Sequence, residues 1–311
     1  MDHYLITGGA GFIGSNLVEE LLKQGEKVRV LDNFSTGRRD NLKPFINDIE
    51  IIEGDIRSLS TVYRAVDGVD FVLHQAALPS VQRSVEDPIT TNEVNITGTL
   101  NVLIASKDRN VKRVVFASSS SIYGNNNVLP KREDMKPDPL SPYAASKLTG
   151  EKYCKIFSEV YGLSTIGLRY FNVFGPRQDP SSQYSAVIPK FIYLMKNNKV
   201  PTIFGDGEQS RDFTFIKNVV HANLLACQNS DLKHEIFNCA CQEQTSVNQL
   251  VEHLNEILGT EIQPNYDKPR SGEVKHSLAD ISKARNLLNY DSAINFKEGL
   301  KKTVDWFTST D

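Results

Sequence analysis

Along the first half of the chain, short apolar runs alternate with longer segments of helical spacing. The runs are "HYLITG", "KVRVLDN", "IEIIEGD", "DFVLHQA" and "RVVFASS", rich in β-branched and aromatic residues and short enough to be strands. In the segment after the first run, Ile13, Leu17 and Leu21 share a face with Val18 and Leu22. "KQG" then supplies a basic residue and a glycine, which suit a helix C-terminus. Strands apolar on both faces need cover on both, and each amphipathic crossover buries its stripe on the sheet. The pattern therefore predicts an α/β fold with a doubly wound parallel sheet.

After about Leu168 the pattern loosens into "FGPRQDPSS", "NNKVPTIFGDGEQSRDF" and "NYDKPRSGEV", loops rich in Pro, Gly and Asn with helical stretches between them. The expected organisation is a first domain over residues 1–168, which also receives a later segment of about 212–240, and a smaller, loop-rich lobe over 169–311.

Charge and cysteine usage narrow the function classes. Lys+Arg 35 against Asp+Glu 38 leaves a net charge of −3, so neither nucleic acid nor an anionic membrane is an expected partner. No apolar run approaches a membrane span, and "MDHYLITGG" enters a strand without signal-peptide regions, so a cytoplasmic protein is expected. Cys154, Cys227, Cys239 and Cys241 fit neither a CxxC redox turn nor a zinc knuckle; they read as reduced core thiols, and no metal is expected.

"LITGGAGFIGSNL" holds Gly9-x-Gly11-x-x-Gly14, and Gly8, Gly11 and Gly14 recur at a period of three. The match follows a strand, opens a helix, and has Asp32 at the end of the next strand, which is the context of a Rossmann-like dinucleotide site. Glycines let the backbone approach a pyrophosphate, whose charge meets free N–H groups and the helix dipole. Asp32 would accept from the adenosine ribose hydroxyls and repel a 2′-phosphate, favouring NAD; Arg38 and Arg39 leave NADP open.

"FASSSSIYGN" places four serines directly after an apolar run, and "SPYAASK" sets Tyr143 and Lys147 four apart, on one face of a helix. A phenol of ordinary pKa near ~10 is a poor base at neutral pH. A neighbouring ammonium favours the phenolate, which can then take an alcohol proton as hydride leaves the same carbon. A serine hydroxyl at the end of "RVVFASS" can hold the same oxygen.

With "TGGAGFIGS", "LDNFSTG", "SSSSIYG", "SPYAASK", "LRYFNVFGPRQ", "IFGDGEQSRDF" and "SLADISKA" together, the chain resembles an extended short-chain dehydrogenase/reductase, and within that class the UDP-hexose 4-epimerases. The resemblance implies Tyr143 as the base, Lys147 as the group that binds the nicotinamide ribose and lowers the tyrosine's pKa, and Ser119 as the hydroxyl partner. It also implies NAD contacts at Gly8, Gly11, Phe12, Ile13, Gly14, Asp32, Asn33, Ser35, Thr36, Gly37, Asp55, Ile56, Gln75, Ala76, Ala77, Asn95, Tyr143, Lys147 and Tyr170. The UDP-sugar would meet Ser80, Ser119, Ser120, Tyr143, Asn172, Ala186, Val187, Phe204, Arg211, Arg270, Glu273 and Ser277. For Arg211 and Arg270 a surface ion pair, and for Phe204 a core role, remain open readings.

The similar 4,6-dehydratases carry an Asp-Glu pair where this chain has Ser120 and Ser121. Without those proton carriers, reversible oxidation at C4 is the expected chemistry, with the keto sugar turning between hydride transfers and NAD regenerated. By resemblance the residue at Ser277 faces the sugar's C2 substituent, and its small size predicts UDP-GlcNAc and UDP-GalNAc, with UDP-Glc and UDP-Gal weaker. Strict UDP-glucose and UDP-uronic acid 4-epimerases are the alternatives, and a non-catalytic dinucleotide sensor is a third reading that the Tyr-Lys-Ser set opposes. Relatives also imply a homodimer through the helices of "NEVNITGTLNVLIASK" and "YAASKLTGEKYCKIFSEVYG".

Overall fold

The computed structural model describes residues 1–180, 186–269 and 275–309. The five apolar runs form β1 (His3–Thr7), β2 (Lys27–Asp32), β3 (Ile49–Glu53), β4 (Phe71–His74) and β5 (Arg113–Ser119). β6 (Thr165–Tyr170) and a seventh strand, His234–Cys239, complete the main sheet. From one edge the order is His234–Cys239, β6, β5, β4, β1, β2, β3, and every pairing is parallel. The strands β1 to β5 alternate between two cores. Tyr4 and Ile6, with Val115 and Ala117, pack on one face, and Leu5, with Val114 and Phe116, on the other.

The first helix, α1 (Phe12–Lys23), buries Leu17, Val18 and Leu21 and ends at Gln24 and Gly25, the glycine at φ +76°. This is the face and the stop that the periodicity predicts. Strand order reverses on either side of β1, so β1 and β4 leave a crevice at their C-terminal ends, the usual ligand position in such sheets.

Chain returns to this sheet after leaving it. The helix Ile216–Gln228 leads into the His234–Cys239 strand, which pairs with β6 from His234↔Thr165 to Cys239↔Tyr170. A boundary at residue 168 consequently falls inside β6. The remaining chain forms short strand pairs and the helices Val187–Lys196, Val247–Leu258 and Phe296–Ser309 around an aromatic cluster of Phe174, Phe213, Phe215 and Phe296. All four cysteines are free, three of them buried, and burial pushes the thiols of Cys227 and Cys241 up to about 12. Among the described residues no helix is long and apolar enough to cross a membrane.

Candidate active site

The glycine loop is a cradle that only glycine can form. Gly8 has φ +70°, and a Cβ there would lie 2.8 Å from the Ala76 backbone; one at Gly14 would lie 2.2 Å from the Gly8 carbonyl oxygen. Gly8 N–H donates to Leu31 O at 2.8 Å and Gly11 N–H to Gly8 O at 3.1 Å, so the first turn of α1 opens toward the crevice with its N–H groups free for an anion.

Asp32 stands at the far side, buried, accepting from Ala10 N at 2.9 Å and Phe34 N at 2.8 Å. Burial raises its pKa while those two bonds lower it. Each carboxylate oxygen keeps a lone pair for a ribose hydroxyl, and a Cβ at Gly37 would sit 2.9 Å from both oxygens. Arg39 is drawn away, 2.6 Å from Glu53 and over the Phe34 ring; Arg38 stays on the cavity wall, 3.7 Å from Asp179. Asn33 donates to Asp55 at 2.9 Å, and the Arg57 guanidinium holds the Asp55 carboxyl below the usual range.

These groups line one cavity of about 630 Å³. Of the predicted cofactor residues, Asn95 does not reach it. Its buried amide accepts from Leu78 N at 2.8 Å and donates to Leu78 O and Ser146 Oγ, so it shapes the wall from behind. Ser118, at the end of the β5 run and read as strand-end structure near the cofactor, lines the cavity, and sequence reasoning missed Arg177, Gln178 and Asp179, which line it too. "GPRQD" carried only a loop signal. Arg177 takes a left-handed φ of +69° and reaches Asn16 and Glu19 of α1, while Asn16 donates to Pro176 O at 3.1 Å.

The helix Pro142–Tyr161 begins at Ser141, whose hydroxyl accepts from Ala144 N at 3.1 Å, and stops at left-handed Gly162. It carries Tyr143 and Lys147 one turn apart. Tyr143 lines the cavity; burial raises its pKa and a hydrogen bond with Ser119 lowers it. Lys147 Nζ donates to Ala117 O at 2.8 Å and lies 5.9 Å from the Tyr143 ring centroid, while the side-chain partner that lowers the phenol is Ser119. Burial depresses Lys147 itself to about 8. Ser119 also accepts from Ser121 N and Ser121 Oγ, at 3.2 and 2.9 Å, and Ser120 opens the 3-10 turn Ser120–Tyr123.

Ser80, at φ +108°, and Ala186 line the same cavity, and Val187 is the first residue of the Val187–Lys196 helix. Asn172 donates to Ser277 Oγ at 3.2 Å and to Asp212 O at 3.0 Å, and Asp212 N donates to the same Ser277 oxygen at 3.2 Å. The Asp212 carboxylate, pushed up to about 6 by burial, accepts from Cys241, Gln242 and Ala279 N–H. Ser119, Ser120, Asn172, Val187, Phe204, Arg211 and Ser277 are not on the wall of this cavity: Arg211 Nη1 donates to Ser210 O and Lys275 O, and Phe204 lies in the strand Thr202–Phe204. Arg270 and Glu273 lie outside the described residues.

Residues 4–240 match the NAD dependent epimerase/dehydratase family. The chain belongs to that family. It is 41% identical to a putative UDP-glucose 4-epimerase of Methanocaldococcus jannaschii, with 97% of each chain covered. It is 38% identical to a UDP-glucuronate 4-epimerase of Thermodesulfobacterium geofontis, covering 98% of this chain and 96% of the relative. Among solved structures, the UDP-N-acetylglucosamine 4-epimerase of Methanobrevibacter ruminantium, in complex with UDP-N-acetylmuramic acid, superposes with TM-score 0.95 at 42% identity over 100% and 99% of the two chains. The family member described here is thus an NAD-dependent extended short-chain dehydrogenase/reductase of the UDP-sugar 4-epimerase type, with the parallel sheet and the cofactor expected from its sequence.

Proposed function

We propose that the enzyme interconverts UDP-GlcNAc and UDP-GalNAc, with UDP-Glc and UDP-Gal as weaker substrates. Ser277 carries this reading. Its oxygen already accepts from Asn172 Nδ2 and Asp212 N, so its proton remains to be donated to the carbonyl of an acetamido group, and a side chain this small sets no bulk against that group. The likeness to the UDP-N-acetylglucosamine 4-epimerase supports it.

NAD, when bound over the glycine cradle, supplies the acceptor and donor of hydride at C4. Tyr143 takes the 4-hydroxyl proton as hydride leaves C4, and returns it after the 4-keto ring has turned about its phosphate linkage. Protons and electrons therefore balance over the cycle. Ser119 donates to the reacting oxygen and lowers the phenol against burial. Lys147, steadied by Ala117, holds the nicotinamide ribose. The resemblance gives Arg211 and Arg270 to the diphosphate, and the N-terminus of the Val187–Lys196 helix, next to Ala186 on the cavity wall, supplies N–H groups for it. The free thiols suit a reducing cytoplasm. Exposed Ile156, Val160 and Tyr161 on the Pro142–Tyr161 helix fit burial against a second copy of the chain, and sedimentation equilibrium is expected to give a dimer.

The test is turnover of a UDP-sugar panel by the purified enzyme, read by product analysis. The acetylated pair is expected to equilibrate fastest, and Ser277→Tyr to slow it about a hundredfold while sparing UDP-Glc. A wild type that ignores UDP-GlcNAc, or that prefers UDP-glucuronate, overturns the substrate reading. Full activity in Tyr143→Phe overturns the catalytic one.

A further inference from the structure

Ser118 and Tyr123 flank the serine turn, and neither has a part in the chemistry above. Both are buried. Ser118 Oγ donates to Glu151 Oε1 at 2.5 Å. The same carboxylate receives the Arg169 fork, Nε on Oε1 and Nη2 on Oε2, each at 2.9 Å. Arg169 Nη1 then donates to the Tyr123 hydroxyl at 2.8 Å, and that hydroxyl donates to Asn238 Oδ1 at 2.7 Å. The stretch from Ser119 to Ile122 is thus fastened at one end to the carboxylate of an ion pair and at the other end to its guanidinium.

The side chains of Glu151 and Arg169 are each only 5% exposed. Desolvation makes such a pair a weak source of stability compared with apolar packing, and in some systems such pairs serve to fix geometry. The geometry fixed here belongs to the site. Glu151 lies one turn beyond Lys147 on the helix that carries Tyr143, and Lys147 Nζ holds Ala117 O. That one helix therefore grips the end of β5 at two successive residues, Ala117 and Ser118, immediately before Ser119.

We infer that the Glu151–Arg169 pair is a positioning clamp that sets Ser119 against Tyr143, holding the serine turn through Ser118 and Tyr123. This rests on the catalytic roles of Ser119 and Tyr143 given under Proposed function. The clamp touches neither reacting atoms nor sugar and acts through Ser119 alone.

Ser118→Ala and Tyr123→Phe each release one end while leaving the ion pair whole, and Ser119→Ala is the reference. Both releases are expected to lower kcat about tenfold, with KM for the UDP-sugar unchanged and, for Tyr123→Phe, which lies off the cofactor cavity, the NAD content of the purified protein unchanged as well. The rising limb of kcat against pH should move to higher pH, because Ser119 no longer lowers the phenol. The double variant Ser118→Ala/Ser119→Ala should be no slower than Ser119→Ala. If Ser119→Ala is impaired while both releases behave as wild type, the clamp is wrong. It is equally wrong if the double variant is additive, or if kcat falls only in step with Tm while the pH limb stays in place. Full turnover in Ser119→Ala or Tyr143→Phe instead overturns the catalytic reading, and the clamp with it.

Discussion

A single methyl group at Gly14 would lie 2.2 Å from the Gly8 carbonyl oxygen, inside the turn that faces the cofactor cavity. Gly14→Ala is therefore expected to cost at least about 2 kcal/mol in denaturant unfolding and to yield protein that keeps little NAD through purification, measured by absorbance of the released cofactor. This constraint was readable in the sequence, because Gly14 acts on Gly8, only a few positions away. Asp32 was readable from its place at the end of the strand that follows the glycine loop and its helix. Other residues act through partners far along the chain. Asn172 and Ser277 are 105 positions apart yet share a hydrogen bond, and the period of neither segment carries that pairing. The Lys147 ammonium belongs with these: spacing places it beside Tyr143, and the Ala117 carbonyl of another element accepts one of its hydrogen bonds.

Among the elements, the Pro142–Tyr161 helix depends most closely on its contact with β5. A Cβ at Gly150 would meet Phe116 Cζ at 2.3 Å, and Phe116 is fully buried beneath it, with Lys147 Nζ 5.1 Å from the ring centroid. Gly150→Val should push the helix off the strand, cost about 2 kcal/mol in denaturant unfolding, and lower kcat more than KM because Tyr143 moves with the helix. A variant that loses stability at full kcat would show that the helix shifts without carrying its tyrosine. Helix and strand were both evident from periodicity and from the serine-proline start. The two-residue strands of the smaller lobe were not, because Ser210–Arg211 pairs with Thr245–Ser246 and so short a run has no alternation of its own to read.

At the scale of the molecule, the sheet is joined by a strand made late. Arg113 of β5 is 4% exposed, and its guanidinium donates to the carbonyls of Ala226, Asn229 and Leu232, just ahead of that strand. A fragment ending at Leu168 would cut β6 short, strip it of its outer neighbour, leave Arg113 without these acceptors, and uncover apolar surface. Such a fragment is expected to be insoluble, whereas the full chain runs as one species in size-exclusion chromatography; a soluble, NAD-binding fragment would show that the first lobe is self-sufficient. The parallel pairing of the seventh strand could not be read from "HEIFNC", which is half polar and takes its place from β6.

During synthesis the same arrangement sets an order of events. β1 to β6 are made while the strand that closes their edge does not yet exist, so β6 waits with one row of N–H and C=O groups open until Cys239 has left the ribosome. An open parallel edge can pair with the wrong chain. The nascent protein is thus most exposed to misassembly over the interval in which its smaller lobe is being made, and a pause in translation there would lengthen the exposure.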